Sequence, residues 1–121
     1  MKYAARVIIT RANGVIVSIS SVAGAIRGLG TQTYTGSRHA IVGPTKNVAA
    51  ELRAHGIRVN YVSPYAVPTG FAFAHLEEER TADAVPGFRD FIGTRANFRG
   101  IELTADDVAN TVLYLACDGS E

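Results

Sequence analysis

Only one cysteine, Cys117, is present, so no internal disulfide can form. Its setting in Leu113-Tyr114-Leu115-Ala116-Cys117 reads as a small buried thiol in a reducing compartment. Neither sign of charge is in excess: the formal net charge is +1, with Lys and Arg scattered among Asp and Glu. That balance excludes an electrostatic case for nucleic acid or an anionic membrane as partner. Long apolar runs are also lacking. Residues 1–9 are short and cationic, with no small-residue cleavage site, so neither a signal peptide nor a membrane span is supported. The expected location is cytoplasmic, and no metal site is expected. No internal repeat or low-complexity tract interrupts the chain. What remains is an ordinary globular composition, 121 residues of which 47% are hydrophobic and 19% charged, enough for one domain at most.

Period and punctuation divide that length. Gly14-Val15-Ile16-Val17-Ser18-Ile19 is an unbroken β-branched run, the pattern of a parallel strand buried on both faces. Ser20 to Thr33 contains Gly24, Gly28 and Gly30 and reads as a loop. From Tyr34 to His55 the residues Ala40, Ile41, Val48, Ala49 and Leu52 recur at helical spacing, and Gly56 supplies a stop. Pro44 is the fault in that helix: it has no N–H for the Ala40 carbonyl, and its ring crowds the same carbonyl. A cost of about 3 kcal/mol or a kink follows. Ile57 to Val62 forms a second strand ended by Ser63-Pro64, completing a βαβ unit with a right-handed crossover.

Residues 69–100 have weaker periodicity, with Glu77-Glu78-Glu79-Arg80 suiting a solvated helix face and Pro86-Gly87 marking a break. This stretch is expected to be a lid. Thr104-Ala105-Asp106-Asp107 then caps a last helix, Thr104 accepting from the Asp107 amide, with Val108, Val112 and Leu115 on its inner stripe. Two parallel strands alone leave open edges, so the fold class is α/β, a βαβ fragment with additional helices that implies more strands than the sequence supplies.

The chemistry collects at one edge. A strand ending in Ser20-Ser21 delivers hydroxyls to the carboxyl edge of a parallel sheet, where ligands of open α/β folds bind. Tyr34 opens the next helix near that edge, and Arg38, one turn later, shares its face. A positive charge beside a phenol favours the phenolate, which suits Tyr34 to general acid and base work. Serines at a strand end also cap turns, and Tyr–Arg pairs at helical spacing are also plain surface contacts. The apolar stretch Phe71 to Leu76, with Phe88, Phe91 and Phe98, lines an apolar pocket or packs a core.

In combination the segments Ile19-Ser20-Ser21-Val22-Ala23-Gly24, Tyr34-Thr35-Gly36-Ser37-Arg38 and Asn60-Tyr61-Val62-Ser63-Pro64-Tyr65-Ala66-Val67-Pro68-Thr69 resemble the short-chain dehydrogenase/reductase family in content and order. Ala49-Ala50-Glu51-Leu52, His55-Gly56-Ile57-Arg58-Val59-Asn60 and Glu102-Leu103-Thr104-Ala105-Asp106-Asp107 extend the likeness to its plant members of the xanthoxin dehydrogenase type. The resemblance implies a Tyr-x-x-x-Lys signature with a catalytic serine upstream, and Ser21 stands thirteen residues before Tyr34. It thus implies Ser21, Tyr34 and Arg38 as the catalytic group, with Ser20 as the alternative serine. Tyr34, Arg38, Pro64, Val67 and Thr69 are the implied cofactor contacts. The implied cofactor is NAD, with NADP open, and the implied substrate a small apolar alcohol or ketone.

Departures from the family pattern shape the expectation. The family lysine is Arg38, which keeps its charge but releases no proton. No glycine-rich dinucleotide turn occurs in the sequence, since Gly24, Gly28 and Gly30 have the wrong spacing and follow the serine strand. The resemblance therefore implies a single fragment, 1–121, of an incomplete Rossmann-like doubly wound parallel sheet, the catalytic half of such an enzyme, with 69–100 as its substrate lid. The helix 34–55 is the family's pairing element, for a second copy or an intact relative. A catalytically silent oligomerisation piece and a truncated product are the alternatives to an NAD-linked dehydrogenase.

Overall fold

The computed structural model describes residues 1–11, 13–73, 81–95 and 100–117. They form two compact units: Met1–Pro64 with Asn110–Glu121, and Tyr65–Ala109.

The first unit is built on a two-stranded parallel sheet. Strand β1 (Gly14–Ile19) runs beside β2 (Ile57–Val62), with Gly14 opposite Ile57 and Ile19 opposite Val62. Both strands have the bounds expected from their β-branched runs. Exposure departs from the expected two-sided burial, for β1 is half-buried from Gly14 to Ser18 and Ile19 is exposed. The reason is that β1 has a single neighbouring strand among the described residues.

Helix α1 (Lys2–Ile9) precedes β1. It was not among the expected elements, although Ala5, Ile8 and Ile9 stand at helical spacing on one face. Those three residues pack on the core formed by Leu52, Ile57 and Val59. The backbone of Gly14 lies close enough to Ile8 that a side chain there would collide with it.

Helix α2 (Gln32–Leu52) connects the strands and continues as a tighter turn over Arg53–His55. The helix starts two residues before Tyr34 because Thr31 caps it: the Thr31 hydroxyl accepts the Tyr34 amide at 3.3 Å. It stops where expected, at Gly56, whose φ of 68° is left-handed. Val48, Ala49 and Leu52 turn inward to the core. Pro44 is exposed, and the helix runs through it without a break.

Arg58 on β2 reaches the end of α5 (Ala105–Ala116), donating to the carbonyls of Leu115 at 2.8 Å and Cys117 at 3.0 Å. These are carbonyls that a helix C-terminus leaves without intrahelical partners. Cys117 is exposed, which corrects the expectation of a buried thiol. It lies just past the helix end, off the half-buried stripe of Val112 and Leu115.

In the second unit, α3 (Gly70–Phe73) and α4 (Thr81–Arg95) occupy the expected lid segment. Pro86 does not break the chain there but lies inside α4, which corrects the sequence reading. Its side chain is exposed, and hydrogen bonds on either side outweigh the single one that its missing N–H forfeits. Phe71 is 62% exposed. Glu77-Glu78-Glu79-Arg80 and Phe98 lie outside the described residues. The cap of α5 forms as expected. The Thr104 hydroxyl accepts the Asp107 amide at 3.2 Å, while an Asp107 carboxylate oxygen accepts the Thr104 amide at 2.8 Å and its hydroxyl at 2.6 Å.

Candidate active site

The serines, the tyrosine and the arginine of the sequence motifs all belong to the first unit. As β1 ends, the Ser20 amide extends the ladder by bonding the Val62 carbonyl at 2.8 Å. A short turn over Val22–Gly24 follows, and the Val22 amide bonds the Pro64 carbonyl at 3.0 Å. The serine loop and the segment leaving β2 are thereby stitched together at the carboxyl edge of the sheet.

The two serines have different surroundings. Ser20 is 5% exposed, and its hydroxyl donates to the Arg38 carbonyl at 3.1 Å. A hydroxyl carries one proton, so that donor is committed. Ser21 is half-buried and caps the turn, its oxygen accepting the Ala23 amide at 3.2 Å. Gly24 completes the junction: a Cβ there would stand 3.0 Å from the Arg38 carbonyl oxygen and 3.1 Å from Ser20 Oγ. The loop thus presses its backbone directly onto α2.

On α2 the capping bond from Thr31 places Tyr34 in the first turn, half-buried. One turn later the guanidinium of Arg38 lies over the Tyr34 ring, 4.7 Å from its centre. This distance is in the range of cation–π attraction. The shared face expected from their spacing is therefore present, and the cation meets the face of the ring. Ser37 donates to the Tyr34 carbonyl at 2.7 Å, holding the same turn.

Among the described residues of this unit two buried polar atoms have no hydrogen-bond partner, Arg38 Nε and Ser63 Oγ. Both are donors, of the kind that a ribose hydroxyl or a carboxamide oxygen accepts, so the edge residues fit the nicotinamide end of a dinucleotide. Val67 and Thr69 belong to the second unit and are half-buried there, with the Thr69 carbonyl accepting the Ala72 amide at 2.9 Å. Among the described residues no group of acidic, histidine or cysteine side chains could hold a metal ion. No described helix is long and apolar enough to cross a membrane.

Sequence reasoning named Ser21, Tyr34 and Arg38 as candidates and did not name two structural supports beside them, the Thr31 cap and the Ser20–Arg38 bond. Thr31 stands three residues before Tyr34, a capping signal visible in the sequence. The Ser20 bond joins residues eighteen apart, and no local pattern announces it.

Comparison with known proteins gives the family. The family described as Enoyl-(Acyl carrier protein) reductase matches residues 1–121. Xanthoxin dehydrogenase of Arabidopsis thaliana is 60% identical over 121 residues, covering 99% of this chain and 42% of its own. (+)-Borneol dehydrogenase 2 of Salvia officinalis is 60% identical over 119 residues, 98% of this chain and 42% of its own. Among solved structures, ElxO with NADP bound superposes with a TM-score of 0.80 at 29% identity, over 98% of this chain and 45% of that one. The chain spans less than half the length of these relatives. It is a member of the short-chain dehydrogenase/reductase family.

Proposed function

We propose that the chain carries the substrate-facing half of a nicotinamide-dependent alcohol dehydrogenase, oxidising a secondary alcohol or reducing the matching ketone. The observation that carries this reading is the cation laid over the Tyr34 ring, 4.7 Å from its centre, on the helix to which the serine loop is fastened.

A nicotinamide cofactor, when bound, supplies the acceptor or donor of hydride. In oxidation the phenolic oxygen of Tyr34 takes the proton of the substrate hydroxyl as the carbonyl forms; in reduction the phenol returns it. Ser21 donates a hydrogen bond to the same substrate oxygen and orients it. Proton accounting favours Ser21 over Ser20, because the Ser20 proton is committed to the Arg38 carbonyl while the Ser21 oxygen is engaged only as an acceptor. Arg38 keeps a positive charge beside the phenol and relays no proton, so its contribution is electrostatic.

The family resemblance assigns Tyr34 and Arg38 to the ribose end of the cofactor, and Pro64, Val67 and Thr69 to its nicotinamide. NAD is the expected form, although ElxO binds NADP. Residues 69–100 act as the substrate lid. The name of the borneol-oxidising relative supports a small apolar secondary alcohol as substrate. The helix 34–55 serves as the pairing element, and the enzyme works in the cytoplasm.

The test is a fusion of this chain to the part of the Arabidopsis relative that precedes the matched region, with Arg38→Lys as a parallel variant. Alcohol-dependent NAD reduction is expected, and Ser21→Ala should lower kcat by about a hundredfold or more. A Ser21→Ala fusion that turns over like its parent would contradict the assignment.

A further inference from the structure

We infer that Gly30 is a positioning residue for Tyr34: the missing side chain at position 30 is what lets the ring lie under the Arg38 guanidinium. A Cβ at Gly30 would stand 2.8 Å from Cδ1 of Tyr34 and 3.6 Å from Cγ and Cε1, so an added methyl must push the ring. Backbone conformation is not the reason for glycine here, because Gly30 is not among the glycines with positive φ. Its neighbours differ. Gly28 has a φ of 85° and Gly36 is helical, and a Cβ at either meets nothing within 4 Å. Of these three glycines flanking Tyr34, one alone makes room for its ring.

Three constraints then act on one side chain. The Thr31 hydroxyl fixes the Tyr34 amide at 3.3 Å, the bare backbone of Gly30 passes the Cδ1 edge of the ring, and Arg38 covers it at 4.7 Å from the centre. A phenol held in this way is placed before substrate arrives, which is the condition for efficient proton exchange. The inference rests on the reading of Tyr34 as the proton-exchanging group, but the placement itself is testable without turnover.

With the guanidinium over its ring, Tyr34 is expected to displace the Nε–H proton resonance of Arg38 in the 121-residue chain. Gly30→Ala is expected to remove most of that displacement, whereas Gly36→Ala retains it. Retention of the full displacement in Gly30→Ala would overturn the inference. A double-mutant cycle by urea denaturation guards against a poorly folded variant. Gly30→Ala should destabilise the parent chain but not the Tyr34→Ala chain, in which the methyl has no ring to push. An equal penalty in both backgrounds would overturn the inference as well. In the fusion enzyme Gly30→Ala should lower kcat by about tenfold or more with little change in KM for the alcohol. Turnover that survives Tyr34→Phe would contradict the catalytic reading alone, because phenylalanine keeps the ring.

Discussion

Ser20 donates its hydroxyl to the carbonyl of Arg38 across 3.1 Å, tying the end of β1 to the helix that carries Tyr34. Ser20 is 5% exposed, so water has little access to replace that bond. Ser20→Ala is expected to destabilise the chain by about 1 kcal/mol, the net worth of one such bond. Urea denaturation measures it, and an unchanged midpoint would count against the junction.

Pro44 offers a gain in stability. It stands inside α2, exposed, with no N–H to give the Ala40 carbonyl. Pro44→Ala restores that bond and removes the ring, and should stabilise the chain by up to about 3 kcal/mol. Thermal unfolding checks the sign: a lower melting temperature would mean that the proline ring supplies packing absent from the account.

The cap of α5 gives stability a dependence on acid. The Thr104 hydroxyl, and after it the Thr104 amide, hold the Asp107 carboxyl below the ordinary aspartate range by hydrogen-bonding its ionised form. A group lowered on folding contributes its stability in full above the unfolded value, and loses it as pH falls through the lowered folded value. Asp107→Ala should therefore be less stable than the parent at neutral pH, with the gap closing in acid. A gap that stays constant down through the acid range would show that Asp107 acts by something other than its charge.

The legible part of this fold was local. Gly14–Ile19 and Ile57–Val62 declared themselves as strands through unbroken β-branched runs, and Gly56 ended α2 because only a residue free of Cβ strain takes a left-handed φ readily. The Thr104–Asp107 cap was equally readable, since both bonds close within one turn. Helix α1 was harder: eight residues supply little more than two turns of pattern, and Met1 gives no side-chain cap. Pro86 misled because a proline inside a helix removes a single bond, which the rest of the helix can outweigh. Cys117 misled because an apolar neighbourhood in sequence continues past the point where the helix, and its half-buried stripe, ends.

At the candidate site the residue types and their order were legible, and so was the shared face of Tyr34 and Arg38. The resemblance put Ser21 ahead of Ser20, but the different surroundings of the two hydroxyls were not legible. The Ser20 hydroxyl meets the Arg38 carbonyl, a contact created only when the loop folds back on α2. The room left by Gly30 for the Tyr34 ring is of the same kind, since distance in the sequence carries no record of which face a loop presents.

The central claim is that the oxygen of Tyr34 exchanges the proton while its ring only supports the surrounding structure. The most direct measurement is alcohol-dependent NAD reduction by the fusion enzyme carrying Tyr34→Phe, which keeps the ring under Arg38 and deletes the hydroxyl. The account predicts loss of turnover by about a hundredfold or more with the fold intact. Turnover equal to that of the Tyr34 parent would contradict it.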